Sequence, residues 1–187
     1  MAEIVLIRHG ETEWSAAGRH TSYTDIALTE HGEAQARELG RALAGREFAA
    51  VLCSPRLRTR RTAEVAGLTV TGTDDDLVEW DYGEYEGITT PRIREHRPEW
   101  SLWRDGCPGG ESPDEIGKRI DAMLQRVRGL LAGGDVALIG HGHATRVTAA
   151  RWIGLPVAAG GLFRLEVGRI SVLGYEREQP VLLRWNC

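Results

Sequence analysis

Three short stretches of the chain are apolar almost without a break: residues 4–7 (Ile-Val-Leu-Ile), 48–53 (Phe-Ala-Ala-Val-Leu-Cys) and 135–140 (Asp-Val-Ala-Leu-Ile-Gly). Runs of this length, rich in β-branched residues, read as strands covered on both faces. Between them the pattern changes to a helical period. Thr29 reads as an N-cap, followed by Ala34, Leu39 and Leu43 up to Gly45. Ser54-Pro55 stops the second strand and opens an arginine-rich helix over about 56–66. Ser112 and Glu115 form a capping box, and the helix they open carries Ile116, Ile120, Met123, Leu124, Val127, Leu130 and Leu131 before Gly133-Gly134 ends it.

The weaker segments fill in the order. Residues 68–71 predict a short strand, a helix is expected near 89–97, and another over 144–153. Residues 11–28, 77–87 and 105–111 are polar, acidic or glycine-rich without a period and read as loops. Residues 162–185 alternate in three short runs, as antiparallel or edge strands do. Strands alternating with helices predict a single α/β domain spanning 1–187, a three-layer α/β/α sandwich with a mostly parallel central sheet. The exposed run of the last strands offers an edge for a homodimer.

Composition narrows the setting. A chain of 187 residues with 42% hydrophobic and 27% charged residues is expected to be an ordinary globular protein. Its net charge of −4 gives no electrostatic footprint for nucleic acid or an anionic membrane. Lys118 is the only lysine, so any anion site must be built from Arg, His and backbone N–H groups. Cys53, Cys107 and Cys187 are odd in number and lack metal-ligand spacing, which argues against a disulfide framework. With no basic-then-apolar leader and no membrane-length apolar run, a cytoplasmic location is the expectation.

The candidate chemistry sits at strand ends. The first strand runs into Arg8-His9-Gly10, the third into His141-Gly142-His143, and Arg58 opens the helix after the second. The carboxyl edge of an open α/β sheet is where ligand crevices form. Two histidines and two arginines converging there suit a phosphoryl group, and like charges nearby favour the neutral, nucleophilic imidazole. Gly10 leaves the backbone free to turn and a ligand free to approach. The acidic loop supplies a proton donor for a displaced alkoxide, with Glu79 and Asp81 first and Glu84 and Glu86 as further candidates. A metal site on His9, His141 and Glu79 would place the cation beside arginines and is disfavoured. His20, His31 and His96 read as surface residues, Arg60 and Arg61 as a solvated helix face, and Trp80, Trp100 and Trp103 as packing.

Together these residues resemble the histidine phosphatase superfamily, also called the phosphoglycerate mutase-like family. Arg8-His9-Gly10-Glu11-Thr12 resembles its opening motif, and Gly18-Arg19 through Asp25, Leu28-Thr29 and Gly32 the segment after it. Ser54-Pro55, Arg58 and Thr62-Ala63 resemble the second motif, and Leu77-Val78-Glu79, Gly83 and Glu86-Gly87 the third. Gly110-Glu111-Ser112 with Arg119, and His141-Gly142, complete the ordered set. The resemblance implies a two-step mechanism without metal or other cofactor. His9 would be the nucleophile that becomes phosphohistidine, Arg8, Arg58 and His141 would clamp the phosphoryl group, and Glu79 would be the proton donor. It further implies substrate contacts from Ser15, Thr21, Ser22, Gly142 and the rim residue His143.

The branch is read from departures. Mutases of the family usually carry asparagine after the tryptophan of the first motif, where Ser15 follows Trp14, and glycine where Ser22 stands. They hold the carboxylate of phosphoglycerate with lysine and adjacent arginines, whereas Trp103-Arg104-Asp105 places an acid in that stretch. Glu79-Trp80-Asp81-Tyr82-Gly83 and Trp103-Arg104-Asp105-Gly106-Cys107 resemble a branch containing acid phosphatases and sedoheptulose-1,7-bisphosphatases. The expected activity is therefore a phosphomonoesterase for small phosphorylated metabolites, sugar phosphates among them, with an acidic optimum because Glu79 must start protonated. A cofactor-dependent phosphoglycerate mutase is the alternative.

Overall fold

The computed structural model describes residues 2–187. Its elements in chain order are β1 (Ile4–Arg8), α1 (Glu13–Ala16), α2 (Glu30–Ala42), β2 (Ala50–Cys53), α3 (Leu57–Val65), β3 (Gly72–Thr73), α4 (Thr90–Arg94), α5 (Leu102–Asp105), α6 (Pro113–Leu130), β4 (Val136–Gly140), α7 (Gly142–Trp152), β5 (Ile170–Glu176) and β6 (Gln179–Arg184). They build one six-stranded sheet in the order β3-β2-β4-β1-β5-β6. The four strands from β3 to β1 run parallel, and β5 and β6 complete the sheet antiparallel.

The unbroken apolar runs have a simple cause. Alternate side chains of a strand point to opposite faces, and both faces here are covered. Ile4 and Leu6 of β1 join Val136, Leu138 and Leu173 against Ile116, Ile120 and Met123 of α6 and Val147 and Trp152 of α7. Val5 and Ile7 point the other way, with Val51, Cys53, Ala137 and Ile139, against Leu39 of α2 and Ala63 of α3. This is the expected three-layer sandwich. Each such side chain taken fully out of water contributes about 1.5–3 kcal/mol. The caps read from the sequence are formed: Thr29 Oγ1 accepts from the Gly32 N–H, and Ser112 and Glu115 make their reciprocal pair.

Three segments differ from the sequence reading. Residues 68–71 are not a strand. Leu68 stays tied to the end of α3 through the Ala63 carbonyl, and Thr71 spends its backbone N–H and its hydroxyl on Val51, so pairing with β2 begins only at Gly72. The stretch 162–185 holds two strands rather than three. Residues 157–162 form 3-10 turns, and 163–169 are irregular because their backbone serves the site: Gly168 N–H donates to the His9 carbonyl, and the Leu165 carbonyl accepts from Arg8. The stretch 11–28 contains the short helix α1, closed by a capping box between Thr12 and Ser15.

Candidate active site

Sheet register brings the chemistry together. Arg8 pairs with Gly140 across β1 and β4, so the next residues, His9 and His141, leave the sheet side by side. Their rings meet edge to face with centroids 5.3 Å apart. On the other flank of β4, Cys53 pairs with Ile139, and Ser54 at the end of β2 lies 2.8 Å from Nε2 of His141. Three adjacent carboxyl ends thus present His9, His141 and Ser54 in a row, at the place where β4 inserts between β1 and β2.

Hydrogen bonds fix the state of each ring. His9 Nδ1 lies 2.7 Å from the Gly10 carbonyl oxygen. A carbonyl only accepts, so Nδ1 carries the proton and Nε2 keeps its lone pair. Burial, with Arg58 and Arg8 close by, holds the His9 imidazole well below the usual histidine range, so the ring is neutral. His141 has the opposite tautomer. Its Nδ1 accepts from the Arg58 Nε–H at 3.2 Å, which leaves Nε2–H to donate to Ser54 Oγ. Burial and then Arg58 keep it neutral too.

The arginines are deeply placed. Arg58 is fully buried. Besides His141, its guanidinium donates to the carbonyls of Thr21, Ser22 and Thr24 at 3.0–3.1 Å. Arg8 donates to the Leu165 carbonyl, while its buried Nε has no protein partner. A Cβ on Gly142 would sit 3.1 Å from the Arg8 guanidinium carbon, so this glycine lets Arg8 lie across the start of α7. Burial lowers both guanidinium pKa values, opposed first by the charge of Glu79 in each case. Gly10 has a different reason from the one the sequence suggested. A Cβ there would lie 2.3 Å from the Gly32 carbonyl oxygen, so what approaches is the first turn of α2.

Glu79 sits across the pocket, buried at the start of α7. Its Oε1 accepts from the backbone N–H groups of Trp80 and Ala144, both at 2.8 Å, and Oε2 accepts from that of His143 at 3.0 Å. The other acidic candidates are engaged elsewhere. Asp81 accepts from the Tyr23 hydroxyl and the Gly83 N–H, Glu86 accepts from Ser22 and Thr24, and Glu84 is exposed.

The open cavity here has a volume of about 220 Å³. Arg8, His9, Ser15, Thr21, Glu79, Gly142 and His143, seven of the ten residues expected at the site, line it. Arg58 and His141 lie behind His9 rather than in the wall, and Ser22 faces a second cavity of about 200 Å³ that shares Glu79. The sequence reading missed further wall residues. Arg146 follows His143 by three positions on α7, hence on the same face. It stacks over Trp103 at 4.5 Å and donates to the carbonyls of Gly160 and Gly161. His20, expected on the surface, is buried against Tyr82 and Trp100, and its pKa is pushed down to about 4 by burial against the opposing charge of Glu86. Arg19, Thr12 and Thr90 complete the polar lining. Trp80 and Trp100 are buried packing residues, as expected. All three cysteines are free.

Among the described residues no group of three or more His, Cys, Asp or Glu side chains is arranged to hold a metal ion, and no helix is long and apolar enough to cross a membrane.

A neutral histidine with a bare Nε2 lies between paired strand ends, among buried arginines and facing a carboxylate, on a phosphoglycerate mutase-like sheet. The profile of the histidine phosphatase superfamily (branch 1) matches residues 4–187, and the chain belongs to that superfamily. Among its relatives, the acid phosphatase of Mycobacterium tuberculosis is 44% identical over 175 residues, covering 92% of this chain and 86% of that protein. The sedoheptulose 1,7-bisphosphatase of Saccharomyces cerevisiae is 36% identical over 185 residues, covering 82% and 68%. A solved structure of an open reading frame product from Mycobacterium tuberculosis superimposes with a TM-score of 0.96 at 42% identity, over 99% of this chain and 97% of that one.

Proposed function

We propose that the protein is a phosphomonoesterase that hydrolyses small phosphorylated metabolites, sugar phosphates among them, through a phosphohistidine on His9. The observation that carries this reading is the His9 tautomer: Nδ1–H is committed to Gly10, so Nε2 is the free nucleophilic atom. In the first step Nε2 bonds to phosphorus as the ester P–O bond breaks. The leaving oxygen takes a proton from the Glu79 carboxyl group. Arg8 holds the equatorial oxygens, where the transition-state charge gathers, and Arg58 reaches them with the one guanidinium N–H that its four protein contacts leave uncommitted. His141 supports them by fixing Arg58, and its Nε2–H reaches the phosphoryl group by exchanging Ser54 for it. In the second step water gives its proton to the Glu79 carboxylate and attacks phosphorus. The N–P bond breaks and its electron pair returns to Nε2.

The names of the two curated relatives support a phosphoester substrate and a sugar phosphate within that class. The lining supports it too: the far wall adds the arginines Arg19 and Arg146, and neither makes an ion pair with a carboxylate among the described residues. The mutase alternative loses ground on one observation. Arg104 is exposed and bound to Asp105 at 2.8 and 2.9 Å, and it takes no part in the cavity wall.

The test is a phosphate-release assay with EDTA present, on an aryl phosphate, sugar mono- and bisphosphates, nucleotides and both phosphoglycerates. It is joined to alkaline quench of the enzyme after mixing with labelled substrate. Release, with an acid-labile, base-stable label on wild type that is absent from His9→Ala, is expected. Interconversion of the phosphoglycerates without net release would overturn the reading in favour of the mutase.

A further inference from the structure

The phosphate clamp is itself held from behind, by a carboxylate that the mechanism does not use. Arg58 is aimed by the carbonyls of residues 21, 22 and 24. A loop can point three carbonyls at one guanidinium only if its N–H groups are turned the other way and satisfied there. Two of them, those of Ser22 and Thr24, are satisfied by one side chain. Oε1 of Glu86 accepts from the N–H of Ser22 at 3.0 Å and of Thr24 at 3.1 Å. Oε2 accepts from the Ser22 N–H at 2.8 Å and the Ser22 hydroxyl at 2.6 Å. Glu86 is half-buried, and no arginine or lysine pairs with it among the described residues. Its partners are all donors on this loop.

The result is one continuous chain of hydrogen bonds. It runs from Glu86 to the Ser22 N–H, through the Thr21–Ser22 peptide group to the Thr21 carbonyl and Arg58, from Arg58 Nε–H to His141 Nδ1, and from His141 Nε2–H to Ser54. Four guanidinium N–H contacts go to these partners, so Arg58 arrives at the phosphoryl site already oriented. Charge-assisted bonds to a carboxylate are the stronger kind, and peptide groups bonded at both ends polarise one another.

We propose that Glu86 is a positioning residue for catalysis: by holding the N–H groups of Ser22 and Thr24, it sets the loop so that the carbonyls of residues 21, 22 and 24 meet Arg58, and so fixes the Arg58–His141 pair against the phosphoryl group. This rests on the phosphoryl-transfer reading above. The role is distinct from packing because it acts through orientation. A second tie on the same loop, the Tyr23 hydroxyl on Asp81, leads to no carbonyl that touches Arg58 and serves as the control.

The experiment compares Glu86→Ala, Glu86→Gln and Tyr23→Phe with wild type. Three quantities are read at 25 °C: kcat and KM on an aryl phosphate, affinity for orthovanadate, and the 15N–H signal of Arg58 Nε, assigned by its loss in Arg58→Lys. Glu86→Ala is expected to lower kcat by about 30-fold or more and weaken vanadate by about tenfold, since misplacement of roughly 1 Å can cost about 10²-fold. Glu86→Gln is expected to fall between. One orientation of the amide keeps its oxygen on the Ser22 and Thr24 N–H groups and donates to Ser22 Oγ, losing only the second acceptor. Tyr23→Phe is expected to stay within about twofold. The Arg58 Nε–H signal should be slow to exchange in wild type and Tyr23→Phe, and shifted or broadened in both Glu86 variants. Folded Glu86 variants with unchanged kcat, vanadate affinity and Arg58 signal would overturn the proposal. If Glu86→Ala does not fold, Glu86→Gln decides on the same criteria. Failure of wild type to bind vanadate would sink the phosphoryl reading, and the Arg58 signal would still judge the positioning by itself.

Discussion

The two halves of the site are built on different principles. The front half, His9, Arg8, Glu79, His143 and Arg146, faces an open cavity, and its side chains hold few bonds to one another. The rear half, His141, Arg58 and Ser54 with the loop 21–24, is fully buried at its three side chains and bonded throughout. The front keeps reactive atoms free: Nε2 of His9 and Nε of Arg8 have no protein partner among the described residues. The rear spends its donors on orientation. Free atoms do chemistry, and satisfied atoms set geometry; a site that must do both divides the work between two layers.

The largest expected effect separates the layers. His9→Ala should lower turnover by about 10³-fold or more while leaving the melting temperature within a few degrees, since it removes the proposed nucleophile, whose ring holds a single local bond. Turnover within tenfold of wild type would remove His9 from the chemistry. Arg58→Met should lose both rate and stability. It strips donors from the carbonyls of residues 21, 22 and 24 and from the buried His141, a class of change that costs about 3–5 kcal/mol. A folded Arg58→Met with an unchanged denaturation midpoint would show that the rear layer relaxes, and the division would fail.

Glu79→Gln tests the front alone. Loss of the proposed proton donor should slow alkyl phosphates by about 10²–10³-fold and aryl phosphates far less, because an aryl oxide leaves without help. Equal slowing of both substrate types would remove Glu79 as the acid. With the amide oxygen in the place of Oε1 the Trp80 and Ala144 N–H groups stay bonded and that of His143 loses its acceptor, so the fold should hold with a lowered denaturation midpoint.

How far these layers could be read beforehand follows the same division. His9 and His141 were legible because each ends an apolar run, and register in a parallel sheet does the rest. Arg58 was legible as the arginine opening the helix after Ser54-Pro55. The partners of Arg58 were not, because carbonyls carry no residue signature: Thr21, Ser22 and Thr24 act there through atoms every residue has. Glu86 looked like a spare proton donor because only the loop's conformation shows what its oxygens accept. Arg146 needed the face of α7, and His20 needed Tyr82 and Trp100 folded over it from 60 residues and more away. The strand predicted at 68–71 failed for a local reason, that Thr71 bonds Val51 with its side chain as well as its backbone.

Acid tests the two layers together. His9, His141, His143 and His20 all have pKa values lowered in the fold, each first by burial. Below about pH 6.5 the unfolded chain takes up protons at these rings and the folded chain does not, so stability is full above that pH and falls as pH drops through it. For His20 alone, the interval from 6.5 to about 4 corresponds to about 3 kcal/mol at its limit. Denaturant midpoints should therefore fall steadily from pH 6.5 to 4.5. A flat profile would mean that these rings are solvated, and the sealed rear layer would be wrong.

The smallest effect is expected at the mouth. Arg146 lies flat on Trp103, is tied to the Gly160 and Gly161 carbonyls, and has its pKa lowered by burial against the charge of Glu79. It is a held cation in the cavity wall, one turn of α7 beyond the glycine that Arg8 crosses. Its place predicts contact with the part of a substrate away from the reacting phosphorus. Arg146→Gln should raise KM for sugar phosphates by about tenfold, the usual size of one charge-assisted hydrogen bond, with kcat unchanged and aryl phosphate hardly affected. A fall in kcat on aryl phosphate instead would put Arg146 with the reacting group, and the front layer would have to be divided again.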